Sequence, residues 1–210
     1  MPPEARLAVA GCDLLVLGTV AGLEAEGARV RQAAEAHDPQ AVGLGVPPED
    51  IATLDQLAGR PLPEDAAPDV QQAHLLRLLE RFGPVRLPSA DLEAAHAYAR
   101  ARGLPLLPLD LDDEAHARLF TQRIGIRHIV AQNFTQKRLL RQAFGDARDA
   151  WDLSERFDRQ LHRGAFRALE EERERHMAAE LRTACAAHRR VLAVLPHPRM
   201  QGVVQRLSET

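Results

Sequence analysis

The sequence predicts an α/β fold, with a partly parallel sheet, crossover helices and an extended C-terminal helical part in one domain over residues 1–210. Three observations predict it. Short apolar runs recur at 7–17, 41–46, 104–109 and 191–196, the first long enough for two strands and the others each the length of one buried strand. Helical segments separate them, the order expected of crossover connections. A long helical stretch, 112–188, precedes the last strand. With 210 residues and 45% apolar content, the chain has enough material for one sizeable core.

The elements follow in order. "RLAVAGCDLLVLGT" reads as two short strands around Gly11-Cys12-Asp13, a hairpin. Glu24 to Ala36 is a polar helix with alanine and valine on one side. "AVGLGV" is a buried strand bounded by Pro39 and by Pro47-Pro48. Pro48 suits the first turn of a helix over Glu49 to Leu57. Residues 59–68, "GRPLPEDAAP", are the most linker-like stretch. Val70 to Phe82 and Asp91 to Arg102 read as helices, the second capped by Ser89 and ended by Gly103. "LPLLPLD" at 104–110 is a further strand. Met200 to Leu207 closes the pattern as a short helix.

Charge and composition exclude several functions. Net charge is −3 and the pI is near 6.3, so no global pull toward nucleic acid or an anionic membrane is expected. Lys137 is the only lysine; the arginine bias fits a GC-rich genome. The N-terminus lacks the pattern of a signal peptide, and no apolar run approaches the ~20 residues of a membrane helix. Cys12 and Cys185, far apart in sequence, form neither a zinc ligand set nor a disulfide framework. A cytoplasmic protein is expected.

The sharpest physical signal lies in "FRALEEERERHMAAELRTAC". At about 100° per residue, Phe166, Leu169, Met177, Leu181 and Ala184 share one stripe, and Arg173 sits in its middle. A guanidinium cannot escape burial by losing its proton. Either its head snorkels into water, or it meets a carboxylate in an internal site. Asp110 and Asp112 are the leading candidate partners, with Glu172 at the edge of the same face.

Three stretches together resemble the TraB/PrgY family, within the wider group of Tiki-type metalloproteases and ChaN- and erythromycin-esterase-like proteins. In "LLVLGTVAG…AVGLGV", Gly18, Thr19, Pro39 and Val42 match a strand, a GT-x-H turn and a P-x-x-V strand that ends in glutamate. "ARGLPLLPLDLDDE" is similar to the family's strand and D-x-D segment, with Asp110 and Asp112 on it. "EERERHMAAEL…VLAVLPHPRMQGVVQRL" resembles the ERD-x-x-M-A helix, strand and G-x-G-H-x-x-G turn through Glu172, Arg173, Met177, Ala178 and Gly202.

The departures are informative. In the metalloproteases of this group, two G-x-x-H turns and a glutamate supply the metal site. The matching positions here are Ala21, Arg199 and Gly45. Alanine and glycine offer no donor atom, and arginine is a fixed cation. The resemblance therefore implies a divergent member without bound metal or other cofactor, acting by binding or regulation through a vestigial pocket. Gly18, Thr19, Asp110, Asp112, Arg173 and Arg199 would line that pocket, with Glu172 orienting Arg173 and an anionic or peptide ligand bound there. The alternative is an active metal-dependent peptidase with a rebuilt site on His197, which would need a divalent metal. Glu172, Arg173 and His197 are then its catalytic candidates.

Other signals carry less. His197, flanked by prolines, reads first as a loop histidine, because one histidine does not make a metal site. Asp112 and His116, at i and i+4, read as a helix-start carboxylate and a satisfied histidine. "GTVAG" lacks the glycine count and lysine of a phosphate loop, though a strand leading through Gly-Thr into a helix offers free backbone N–H groups to an anion. Lys137, Arg138, Arg141 and Arg148 read as a solvated helix face rather than a nucleic-acid surface. Leu139, Leu140, Phe144, Trp151, Phe157 and Leu161 make the surrounding helices amphipathic, for a hairpin over the sheet or a homo-oligomer contact.

Overall fold

In the computed structural model, which describes residues 3–57 and 68–209, the strand runs assemble into one sheet. The linker-like stretch at 59–68 lies outside the described residues except for Pro68. β1 (Glu4–Val9) and β2 (Cys12–Thr19) form the expected hairpin. Its turn is Ala10-Gly11, one step earlier than expected. Both residues have positive φ, the backbone of a tight hairpin turn, and Cys12 already pairs with Val9. With β3 (Ala41–Leu44), β4 (Leu106–Pro108) and β5 (Arg190–Pro196), the strand order is β1-β2-β5-β3-β4. Every pairing except β1–β2 is parallel.

Burial explains the run-like character of these strands. Along β5, Val191, Ala193 and Leu195 join one core cluster, while Leu192 and Val194 join another, and all five are essentially inaccessible. A central parallel strand is covered on both faces and so reads as continuous apolar sequence. One face is covered by α1 (Glu24–His37), α2 (Pro48–Leu57) and α4 (Ala90–Arg102). The other is covered by α8 (Ala165–Ala187) and α9 (His197–Ser208). Gly27 lets α1 approach α4 closely, since a Cβ there would stand 2.8 Å from the Ala90 carbonyl oxygen.

A third cluster sits over the carboxyl ends of the strands. It joins Val20 and Leu23 to α3 (Val70–Leu79), α6 (Ile126–Leu139) and α7 (Ala150–Leu161). Leu139, Phe144 and Phe157 are buried there, so α6 and α7 form the helical hairpin over the sheet. Between β4 and α6 lies α5 (Asp113–Arg123). α6 ends at Leu139, which leaves Arg141 and Arg148 off the helix.

The closing helix begins at His197, three residues before the expected Met200, because Pro198 is well tolerated in a first helical turn. His197 is therefore a helix-start residue and not a loop histidine. Asp112 is the N-cap of α5, and its carboxylate accepts from the Ala115 N–H at 2.6 Å. Among the described residues, no helix is long and apolar enough to cross a membrane.

Candidate functional site

Adjacent strands β2 and β5 send their connections to opposite faces of the sheet. β2 leads to α1 and β5 to α9, with α1 and α9 in separate core clusters. Open α/β sheets bind ligands in the crevice made at such a divergence. Here the crevice is a cleft of about 730 Å³, roofed by the α3–α7 cap. Thr19, Ala21, Pro196 and Pro198 form its floor. Leu75, Leu76, Phe157 and Leu161 form apolar walls, with Ser89 and Leu92 of α4 at one side. Asp50, Asp158 and Arg173 bring charge to it.

The β2–α1 turn is held by hydrogen bonds that the sequence did not announce. The hydroxyls of Thr19 and Ser89 both donate to Asp91, a carboxylate only 2% exposed. Ser89 in turn accepts from the Gly22 N–H at 2.8 Å, so its side chain serves the neighbouring turn instead of capping α4. Gly22 has φ +97°, and a Cβ there would run into Leu76. Gly18 packs under α9, where a Cβ would lie 2.8 Å from Met200 Sδ and 3.1 Å from His197 Nδ1. The Gly18 carbonyl accepts from Arg29, which also bridges to buried Glu26. Burial pushes the Glu26 carboxyl above its ordinary range, against the pull of Arg29.

Arg173 reaches into an internal site. It donates through Nε to Asp110 at 3.1 Å, again through Nη2 to the same carboxylate, and through Nη1 to Glu170 at 2.8 Å. Burial disfavours its charge, but the hydrogen bonds and attraction of Asp110 and Glu170 outweigh that and raise its pKa. Glu172 does not orient it. That side chain points the other way, to Arg123 and Arg175, because it lies about 100° around the helix. Asp112, the second expected partner, is occupied as a helix cap.

The most buried charge on α8 is Glu174, not Arg173. Its side chain is inaccessible and faces Arg206 at 2.9 Å and Arg167 at 3.1 Å. Desolvation raises its pKa against those cations. Gly202 on α9 lies against this carboxylate, and a Cβ there would overlap it. The glycine that matched a catalytic-type turn therefore has a packing reason of its own.

Arg199 is buried too, and is fully engaged. It meets Asp158 at 2.7 Å and Glu170 at 2.7 Å. His162 shares the Asp158 carboxylate at 2.8 Å. Burial works against the charge on Asp158, but His162 and Arg199 hold its pKa below the ordinary carboxylate range. An alternating chain of charges thus runs Asp110–Arg173–Glu170–Arg199–Asp158, with the His162 ring hydrogen-bonded at its end, and ties the β4 end to α7, α8 and α9.

The expected site residues separate. Thr19, Ala21 and Arg173 line the cleft, whereas Arg199 lies beneath it and Asp110 behind Arg173. Gly18 faces α9, and Asp112 caps α5. Gly45 is packed against its neighbours, where a Cβ would stand 2.7 Å from Pro196 Cδ. His197 keeps Nδ1 buried without a hydrogen-bond partner, and desolvation lowers its pKa. The three positions matched to metal ligands do not form a donor set, because one lacks room, one lacks atoms and one is a paired cation. Among the described residues, no group of three His, Cys, Asp or Glu side chains is placed to hold a metal ion. Nor does a hydrogen bond join Ser154, in the cleft wall, to a histidine or carboxylate among these residues, as an activated nucleophile requires.

No protein-family model matches the chain, and no curated protein matches it in sequence, so the chemistry of the cleft rests on its own residues.

Proposed function

We propose that the strand-end cleft is a binding site, and that the chain is a divergent TraB/PrgY-like protein acting by binding or regulation rather than metal-dependent hydrolysis. One observation carries the reading. Arg199, at the position the resemblance assigns to a metal ligand, is a buried cation with both sides engaged by carboxylates. A fixed positive charge there opposes a divalent ion and holds three helices together instead.

The cleft supports a peptide-like ligand better than a simple anion. Its walls are largely apolar, and Arg173 already faces two carboxylates. Asp50 adds negative charge, with a pKa raised first by burial and then by Asp113, Glu49 and Asp110. Such a lining favours apolar side chains and a neutral or cationic group. A rebuilt hydrolase on His197 has less support, since its Nδ1 is buried against Gly18 and accepts or donates no hydrogen bond among the described residues. A cytoplasmic location goes with two buried thiols. Burial raises the pKa of Cys12 and pushes that of Cys185 up to about 12, so both stay protonated.

The test combines metal analysis of the purified protein, a peptidase assay with and without added zinc or manganese, and thermal-shift screening of short peptides. The expected results are no stoichiometric metal and no turnover. A peptide at about 100 times its dissociation constant should stabilise the fold by ~2.7 kcal/mol. That effect should be lost when Leu161→Trp fills the cleft. Stoichiometric metal with metal-dependent cleavage overturns the reading.

A further inference from the structure

α6 offers an apolar face to solvent. Ile126 is 82% exposed, Phe134 70%, Val130 50% and Ile129 42%. Their spacing of i, i+3, i+4 and i+8 places all four on one side of the helix. The opposite side holds α6 to the protein. Leu139 is buried there, and Gln132 donates to the Leu161 carbonyl at 2.7 Å.

The same segment is strongly basic within an acidic chain. No Asp or Glu occurs between Glu114 and Asp146. Arg127 stands in the first turn of α6, Lys137 and Arg138 in the last, and Arg141 just beyond. All four are exposed, and none forms an ion pair among the described residues. The cations therefore bracket the apolar stripe at both ends.

We infer that α6 docks in the plane of an anionic lipid surface, with Ile126, Val130 and Phe134 inserted and Arg127, Lys137 and Arg138 on the headgroups. An amphipathic helix with cations beside its apolar face fits that boundary. Because α6 is fixed along its back, it presents one convex face, which suits a surface better than a groove that wraps a helix. A second copy fits poorly: an antiparallel α6 would set Arg127 toward Lys137 with no acid on either face. Nucleic acid offers the charge, and a base on which Phe134 could stack, but no place for the aliphatic Ile126, Ile129 and Val130. This surface is separate from the cleft and does not depend on its reading.

The test is flotation of the full-length chain with vesicles of phosphatidylcholine alone or with added phosphatidylserine, at low and high salt. Binding is expected only to the phosphatidylserine vesicles and should weaken with salt. Phe134→Ser should weaken it about tenfold, by loss of the inserted ring. The double change Lys137→Gln and Arg138→Gln should cost roughly tenfold or more. Thermal melting checks that these exposed substitutions leave the fold intact. The inference is overturned if the folded protein ignores phosphatidylserine vesicles, or if both variants bind like the parent. It is equally overturned if Phe134→Ser abolishes only self-association, or if only RNA retains the protein and does so regardless of Phe134.

Discussion

The floor beneath the cleft and the outer face of α6 are built on opposite rules. Under the cleft, each charge has a counter-charge and little water. Arg199 contacts both Asp158 and Glu170, while Glu174 is enclosed by Arg206 and Arg167. On α6, apolar side chains and cations both face solvent, and those cations form no ion pair among the described residues. The contrast teaches where this chain is intolerant of change. Buried ion pairs are costly to break because the orphaned partner remains desolvated. An exposed helix face loses little when altered, so its chemistry is free to serve another surface.

The largest expected effect comes from breaking the buried chain of charges. Arg199→Met should destabilise the fold by about 3–5 kcal/mol in urea unfolding, since Glu170 and Asp158 lose a shared cation. Arg199→His, which installs a metal-ligand residue type, should also destabilise the protein and should give no zinc affinity by calorimetry. Stable, zinc-binding protein would mean the cation is dispensable and would erase the contrast.

Gly202→Ala comes next. Its methyl group overlaps the Glu174 carboxylate, so a loss of about 2 kcal/mol is expected in the same measurement. Combined with Glu174→Ala, the two losses should be less than additive, because the overlap disappears. Strict additivity would show that the two side chains do not meet.

A smaller effect separates the cleft floor by pH. His197 has its pKa lowered by burial, so the folded chain holds that proton more weakly than the unfolded chain. Its contribution is complete above the ordinary histidine value of 6.5 and is lost as pH falls below it. Buried Glu174 and Glu26, whose pKa values are raised above 4.5, act in the opposite direction as they protonate. Asp158, held below 3.8, loses its stabilising charge at still lower pH. The difference between parent and His197→Gln isolates the histidine: stability of the variant should fall less between neutral pH and mild acid. Parallel curves would contradict the burial of its ring.

The smallest effect belongs to α6. Ile126→Ser with Val130→Ser should change stability by no more than about 0.5 kcal/mol. A larger loss would mean that this face is packed in the free protein.

Much of this architecture was legible in sequence, and the failures have physical causes. Apolar runs marked β2, β3 and β5 because strands buried on both faces leave no alternation to misread. β4 was overextended at 104–110, since Leu104 and Leu109 are buried or half-buried without being in the strand. The apolar stripe marked Arg173 as a cation needing either water or a carboxylate, with Asp110 and Asp112 as candidates, and only the structure selects Asp110. Glu170 and Glu174 were missed because "EEERERH" puts a charge at every helical angle. Which acid is buried is decided by Arg199 and Arg206, some thirty residues away. In the sequence Asp91 reads only as the start of a helix, where an acidic residue is common. Its two hydroxyl donors come from Ser89 nearby and from Thr19, a distant turn.

The strand order has a consequence for how the chain acquires its structure. β5 is made last of the five strands, yet it lies between β2 and β3. Until residues 190–196 leave the ribosome, β2 and β3 have no common neighbour, and the parallel core exists only as separate edges. Such late, long-range pairing slows folding and leaves apolar edges open during synthesis. Premature termination just before Arg190 would therefore give a chain able to form its hairpin and the helices that precede β5, but not its full sheet. Such fragments are the natural clients of chaperones and proteases.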